Sequence, residues 1–171
     1  MAQNTYTLIS GTTLGSTTAS ITFTSIPSTY TDLLLRFSTR ANASSSNDSF
    51  DTIIKFNNSA TNLTFKSLRA DGSGVNYNSL TDRMLRTTNS TDYTGFSNVD
   101  IYIPNYASSN TKTFNVDSVM GSTAAGTGII IISGTWSSSS AITQIAINPN
   151  GNTGANFVTG SSAYLYGIKN S

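Results

Sequence analysis

The segment NVDIYIP alternates Val99, Ile101 and Ile103 with Asn98, Asp100 and Tyr102, and then meets Pro104. An extended strand sends successive side chains to opposite faces, so a period of two marks a strand with one face buried and the other wet. Proline stops such a ladder because it has no N–H to donate. The same period recurs along the chain. SITFTSI sets Ile21 and Phe23 on one face, and TDLLLRFSTR sets Leu33, Leu35 and Phe37 opposite Asp32, Leu34, Arg36 and Arg40. FDTIIKF points Ile54 and Phe56 inward, NLTFKSL does the same with Leu63 and Phe65, and KTFNVDSVM with Phe114 and Val116. No window sustains apolar spacing at i, i+3, i+4 and i+7 between capping residues, so no helix is expected.

TYTLIS, GIIIISGTW, AITQIAI and SSAYLYGIKNS complete a set of about ten short strands. Asp71-Gly72 and Asn150-Gly151 carry turn chemistry, since both supply positive φ at low cost. Gly134, ahead of Trp136, is expected to mark a bulge. Ile129 to Ile132 make both faces of their strand apolar, which predicts a strand central to the fold or buried in a subunit contact. The predicted fold is all-β: a single-domain β-sandwich over residues 1–171, jelly-roll-like.

Composition narrows the chemistry. Roughly a third of the 171 residues are Ser or Thr, which alone could mean disorder, but eight Phe, eight Tyr and one Trp recur at alternating positions. The net charge of +1 provides no footprint for nucleic acid. The opening MAQNTYTLIS predicts no signal peptide, and the longest apolar run is far too short for a membrane helix. His, Cys and Glu are absent, which removes the Ser-His-Asp triad, thiol chemistry, the usual zinc sites and a glutamate acid or base. The expectation is a protein that is not an enzyme and carries no metal or cofactor. The eight Asp keep a paired-carboxylate site in view, either Asp48 with Asp51 or Asp100 with Asp117, against the plainer reading of turn caps and weak ion pairs. Asp71, Asn76 and Asn78 offer a calcium loop against a plain hairpin loop, and Ser109 to Lys112 has Ser-x-x-Lys spacing without companion motifs.

What remains is surface. Arg36, Arg40, Lys55 and Lys66 fall on outward positions of successive strands, as an interface patch or a solvated face. Arg83, Met84, Leu85 and Arg86 mix apolar and cationic groups on both faces, which fits an edge lying against a partner or an irregular loop. Tyr102, Tyr106, Tyr164 and Tyr166 could form a platform for sugars, with core or interface the favoured reading. The candidate interface is therefore Arg83, Met84, Leu85, Arg86, Ile129, Ile131, Tyr6, Tyr164 and Tyr166.

The opening TYTLISGTTLGSTTASITFTSIPSTYTDLLLRFSTR, the middle FSNVDIYIPNYASSNTKTFNVDSVM, the stretch GTWSSSSAITQIAI and the close SSAYLYGIKNS resemble small Ser/Thr-rich virion proteins of tailed bacteriophages. Residues 41–93 are matched only loosely. The resemblance implies a structural virion protein, either a capsid decoration (cement) protein or a tail fibre or receptor-binding module that recognises host surface glycan. No separate attachment or shaft segment is read in the chain, which favours decoration. The partners expected are the major capsid protein and further copies of the chain, as a homotrimer. The expected location is the virion, after synthesis in the host cytoplasm.

Overall fold

The computed structural model describes residues 5–42, 49–70, 74–80, 85–89, 94–120, 128–150 and 154–169. They form thirteen strands and no helix. In chain order these are β1 (Tyr6–Thr13), β2 (Ile21–Phe23), β3 (Asp32–Asn42), β4 (Ser49–Phe56), β5 (Leu63–Ala70), β6 (Val75–Leu80) and β7 (Leu85–Asn89). Then come β8 (Ser97–Ile103), β9 (Lys112–Met120), β10 (Gly128–Trp136), β11 (Ile145–Asn150), β12 (Asn156–Phe157) and β13 (Ser162–Ile168).

Eight strands build one large antiparallel sheet in the order β1-β13-β3-β8-β9-β10-β5-β6. A smaller sheet runs β2-β11-β4-β7 and ends on the last residues of β3, which β12 flanks on the other side. β3 belongs to both layers. Leu33 to Thr39 pair with β8, while Arg40 and Ala41 pair in parallel with Thr88 and Asn89 of β7. The two sheets face each other as a β-sandwich, and the first strand pairs with the last.

The alternation read from the sequence decides what fills the space between them. Leu33, Leu35, Phe37, Val99, Ile101 and Ile103 are all buried to 1% exposure or less. Phe56 of the smaller sheet enters between Phe114 and Trp136 of the large one, edge-on at 5.6 and 5.5 Å between ring centroids. Such edge-to-face contacts add directional preference to the burial of the rings. Where β3 leaves the large sheet the core turns polar: the Thr87 hydroxyl bonds to those of Thr39 (3.1 Å) and Thr52 (2.6 Å), so these buried hydroxyls satisfy one another.

Several expectations need correction. No bulge occurs at Gly134, because both its ladders run through it without a register shift. Glycine is there for space: a Cβ would lie 2.3 Å from the Phe114 ring. A bulge occurs instead in β1, between Leu8 and Ser10. β10 is central to its sheet, yet its two apolar faces are not both covered: Ile130 and Ile132 are buried, while Ile129 and Ile131 are about half exposed. β6, β7 and β12 are strands beyond the ten expected. Asn76 and Asn78, weighed as parts of a calcium loop, lie in β6, and Asp71 lies outside the described residues.

Candidate functional site

The outer face of the large sheet collects the exposed large apolar side chains among the described residues. Strand register shows how. Opposed residues of an antiparallel pair share a face, so a row can be followed strand by strand. Gly11, Tyr164, Arg36 and Asp100 stand in line across β1, β13, β3 and β8. The same line continues through Asp117, Ile131, Leu68 and Tyr77 on β9, β10, β5 and β6. The neighbouring row holds Val119, Ile129, Ala70 and Val75.

The face therefore has two halves. On the β9–β6 side Val119, Ile129, Ile131, Leu68, Val75 and Tyr77 are exposed by 46% to 85% and adjoin one another across four strands. Single exposed apolar residues are ordinary, whereas a contiguous exposed group is the kind of surface on which contacts are built. On the β1–β8 side the face is aromatic and charged. The Tyr164 ring lies over Gly11, where a Cβ would sit 2.4 Å from it, and its hydroxyl bonds Thr13 at 3.1 Å. Arg36 grips Asp100 with two donors, Nε at 2.8 Å and Nη2 at 2.6 Å. That hydrogen-bonded pair raises the guanidinium above its ordinary value and, being exposed, adds only ~0.2–1 kcal/mol.

Asp100 and Asp117 do oppose each other on paired strands, as the sequence allowed. Arg36 takes up Asp100, so the paired carboxylates enter the sheet as one ion pair beside one further acid. At the end of this half, where β3 begins, Asp32 is 2% exposed and accepts hydrogen bonds from the Tyr102 hydroxyl (2.7 Å) and the Asn105 amide (3.0 Å). The bond to Asp32 holds the proton on Tyr102 and pushes its pKa up to about 12. Among the described residues, two grooves open on this half. One, of about 380 Å³, passes Arg36, Asp100, Asp117 and Tyr164, and the other, of about 390 Å³, is lined by Tyr6, Leu34, Arg36 and Tyr166.

Of the residues expected at an interface, Tyr6, Tyr164, Tyr166, Ile129 and Ile131 come together on this face. Arg83 and Met84 lie outside the described residues. Leu85 and Arg86 open β7 in the other sheet, opposite Thr52 and Asp51 of β4, while β3 joins β7 only further on, at Thr88 and Asn89. Arg36, Arg40, Lys55 and Lys66 form no common patch, because strands adjacent in sequence are not adjacent in space. Lys66 is four strands from Arg36, Lys55 is in the smaller sheet, and Arg40 is drawn to the Thr94 carbonyl and the Phe96 ring. Tyr106 is core, with its hydroxyl donating to the Pro27 carbonyl. Lys112 of the Ser-x-x-Lys stretch is buried, and its Nζ donates to the carbonyls of Ser138 and Ser140.

Leu68, Val75, Tyr77 and Val119 were missed. The signal was parity. In NLTFKSL and KTFNVDSVM the inward residues are odd and even respectively, which sends Leu68 and Val119 outward. No protein-family model and no curated protein matches this chain.

Proposed function

We propose that this chain is a structural virion protein of a tailed bacteriophage, a capsid decoration protein that docks on the assembled shell through the outer face of its large sheet and does no chemistry. The observation that carries the docking role is the contiguous exposed group Leu68, Val119, Ile129 and Ile131 on strands held in register on both sides. The resemblance of the two ends and the middle of the sequence to small phage virion proteins supports the choice of partner. The mechanism is mass action: a protein that binds only the assembled shell stabilises it by its binding free energy at each site. Near-zero net charge lets many copies crowd on one surface without mutual repulsion.

Purified chain added to undecorated shells should co-sediment with them and raise their disassembly temperature. The double variant Ile129→Lys/Ile131→Lys should keep its fold and lose co-sedimentation. Quantitative mass spectrometry of virions should find copies comparable in number to capsomer junctions, and a handful per particle at the tail tip would defeat this reading. The grooves beside Tyr6, Tyr164 and Tyr166 favour a second role, receptor binding to host surface glycan, because tyrosine rings and the Arg36–Asp100 pair suit sugar faces and hydroxyls. Binding of host polysaccharide that is lost in Tyr166→Ala would favour this role.

A further inference from the structure

The large sheet has two edges, β1 and β6, and they are built differently. Among the described residues β6 pairs with β5 alone, so one row of its N–H and C=O groups has no strand beside it. Proteins protect such an edge with charge, proline, a bulge or shortness, because an open regular edge is a template for another strand. β1 has that protection, since its ladder is broken between Leu8 and Ser10. The smaller sheet ends in β2, which is only three residues long. β6 has none of it. Its residues are Val75, Asn76, Tyr77, Asn78, Ser79 and Leu80, without charge or proline, and they pair with β5 through six successive positions without a shift. Its outward residues Val75 and Tyr77, at 73% and 85%, are the most exposed large apolar side chains described.

We propose that β6 is a self-association edge: two copies pair β6 with β6, antiparallel, about a two-fold axis, and join their large sheets into one. The register follows from parity. A two-fold axis perpendicular to the sheet keeps the outer face outward in both copies, so opposed residues must both be outward or both inward. Centred on Tyr77, the pairing sets Tyr77 against Tyr77, Asn76 against Asn78 and Val75 against Ser79. Centred on Asn76, it sets Val75 against Tyr77. Either way outward apolar groups meet across the axis and extend the row through Leu68 and Ile131.

A second copy is the occupant that this edge fits. β6 itself carries no charge, so an identical strand meets no like-charge repulsion from it, and the ammonium that reaches it, Lys66 Nζ at 2.8 Å from Ser79 Oγ, sits two residues along from Tyr77. The broken ladder of β1 disfavours head-to-tail growth through the opposite edge, so the contact closes as a dimer rather than a fibre. This inference is independent of the shell-docking role and is tested on the purified chain alone.

The chain contains no cysteine, so one introduced thiol reports one contact. Directly opposed strand residues have Cα atoms ~4.5–5.5 Å apart, within the span of a disulfide. Light scattering should give the wild type twice the mass of one chain, and Tyr77→Lys the mass of one chain with unchanged circular dichroism. Under mild oxidation Tyr77→Cys should cross-link to a dimer while Tyr164→Cys, at the far end of the sheet, does not. Cross-linking only in a mixture of Val75→Cys and Tyr77→Cys would place the axis at Asn76 and equally support the pairing. A monomeric or trimeric wild type, or cross-linking at residue 77 no faster than at residue 164, overturns it.

Discussion

Lys112 is 1% exposed, yet its ammonium meets two carbonyl oxygens and lies 5.4 Å from the centre of the Trp136 ring. Burial lowers its pKa, and the carbonyls and the ring compensate the charge that burial disfavours. Lys112→Met keeps the apolar stem and strands the carbonyls of Ser138 and Ser140, so a loss of about 1–3 kcal/mol is expected in urea unfolding. Tyr102 behaves in the opposite sense with pH. Its folded pKa of about 12 lies above the ordinary 10.0, so the folded state holds the phenol proton more tightly than the unfolded chain does. That stability is fully present below pH 10.0 and is lost as pH rises toward about 12. Tyr102→Phe should therefore flatten the fall in unfolding midpoint across this window, and an unchanged slope would remove Asp32 as its cause. Asparagine does much of the turn work: Asn57, Asn58, Asn62 and Asn105 all adopt positive φ, between 50° and 66°. Asn57 also accepts from the amides of Thr143 and Gln144 and donates to the Ala141 carbonyl, tying two loops together. In a chain rich in Asn, nothing local distinguishes these four from the others.

At the scale of the element, burial along β8 and β9 alternates without a fault, and this is what a period of two dictates for a strand between two others in a one-sided core. Ile101 sits at 0% exposure in the middle of β8, paired with Leu35 on one side and Val116 on the other. Its neighbours are held by ladders and cannot collapse, so Ile101→Ala should cost ~2–5 kcal/mol through the cavity left behind. A denaturation midpoint unchanged within error would refute that placement. The strands that escaped the sequence reading lack this signature. β6 turns Val75 and Tyr77 outward, β7 has five residues, and β12 has two. Asn-rich and Thr-rich stretches of that length read equally well as loops, and only a partner strand makes them β-structure.

At the scale of the whole molecule, β3 ties the two layers into one cooperative unit. Its first eight residues, Asp32 to Thr39, serve the large sheet and its last three the smaller one, with buried threonine hydroxyls at the crossing. Neither layer can leave without breaking that strand. Heating should give one transition, with calorimetric and van't Hoff enthalpies equal, for the wild type and for Ile101→Ala alike. Two resolved transitions would mean that the sheets unfold independently.

The sequence by itself determined which side chains turn inward, because the pleat alternates faces whatever the neighbouring strand is; Leu33, Leu35, Phe37, Val99, Ile101, Ile103 and Phe114 follow from that rule alone. It offered Tyr102, Tyr106, Tyr164 and Tyr166 alike as core or interface, and only the fold divides them, with Tyr106 in the core and Tyr164 and Tyr166 on the outer face. Tertiary structure decided which strands became neighbours. β10 lies beside β5 across more than fifty intervening residues, and no local pattern encodes that choice. This pairing brings Leu68 beside Ile131, the β9 ladder sets Val119 beside Ile129, and together they turn four scattered outward residues into one surface. Among the described residues the same ordering left β6 at an edge of the large sheet, with Val75 and Tyr77 turned outward.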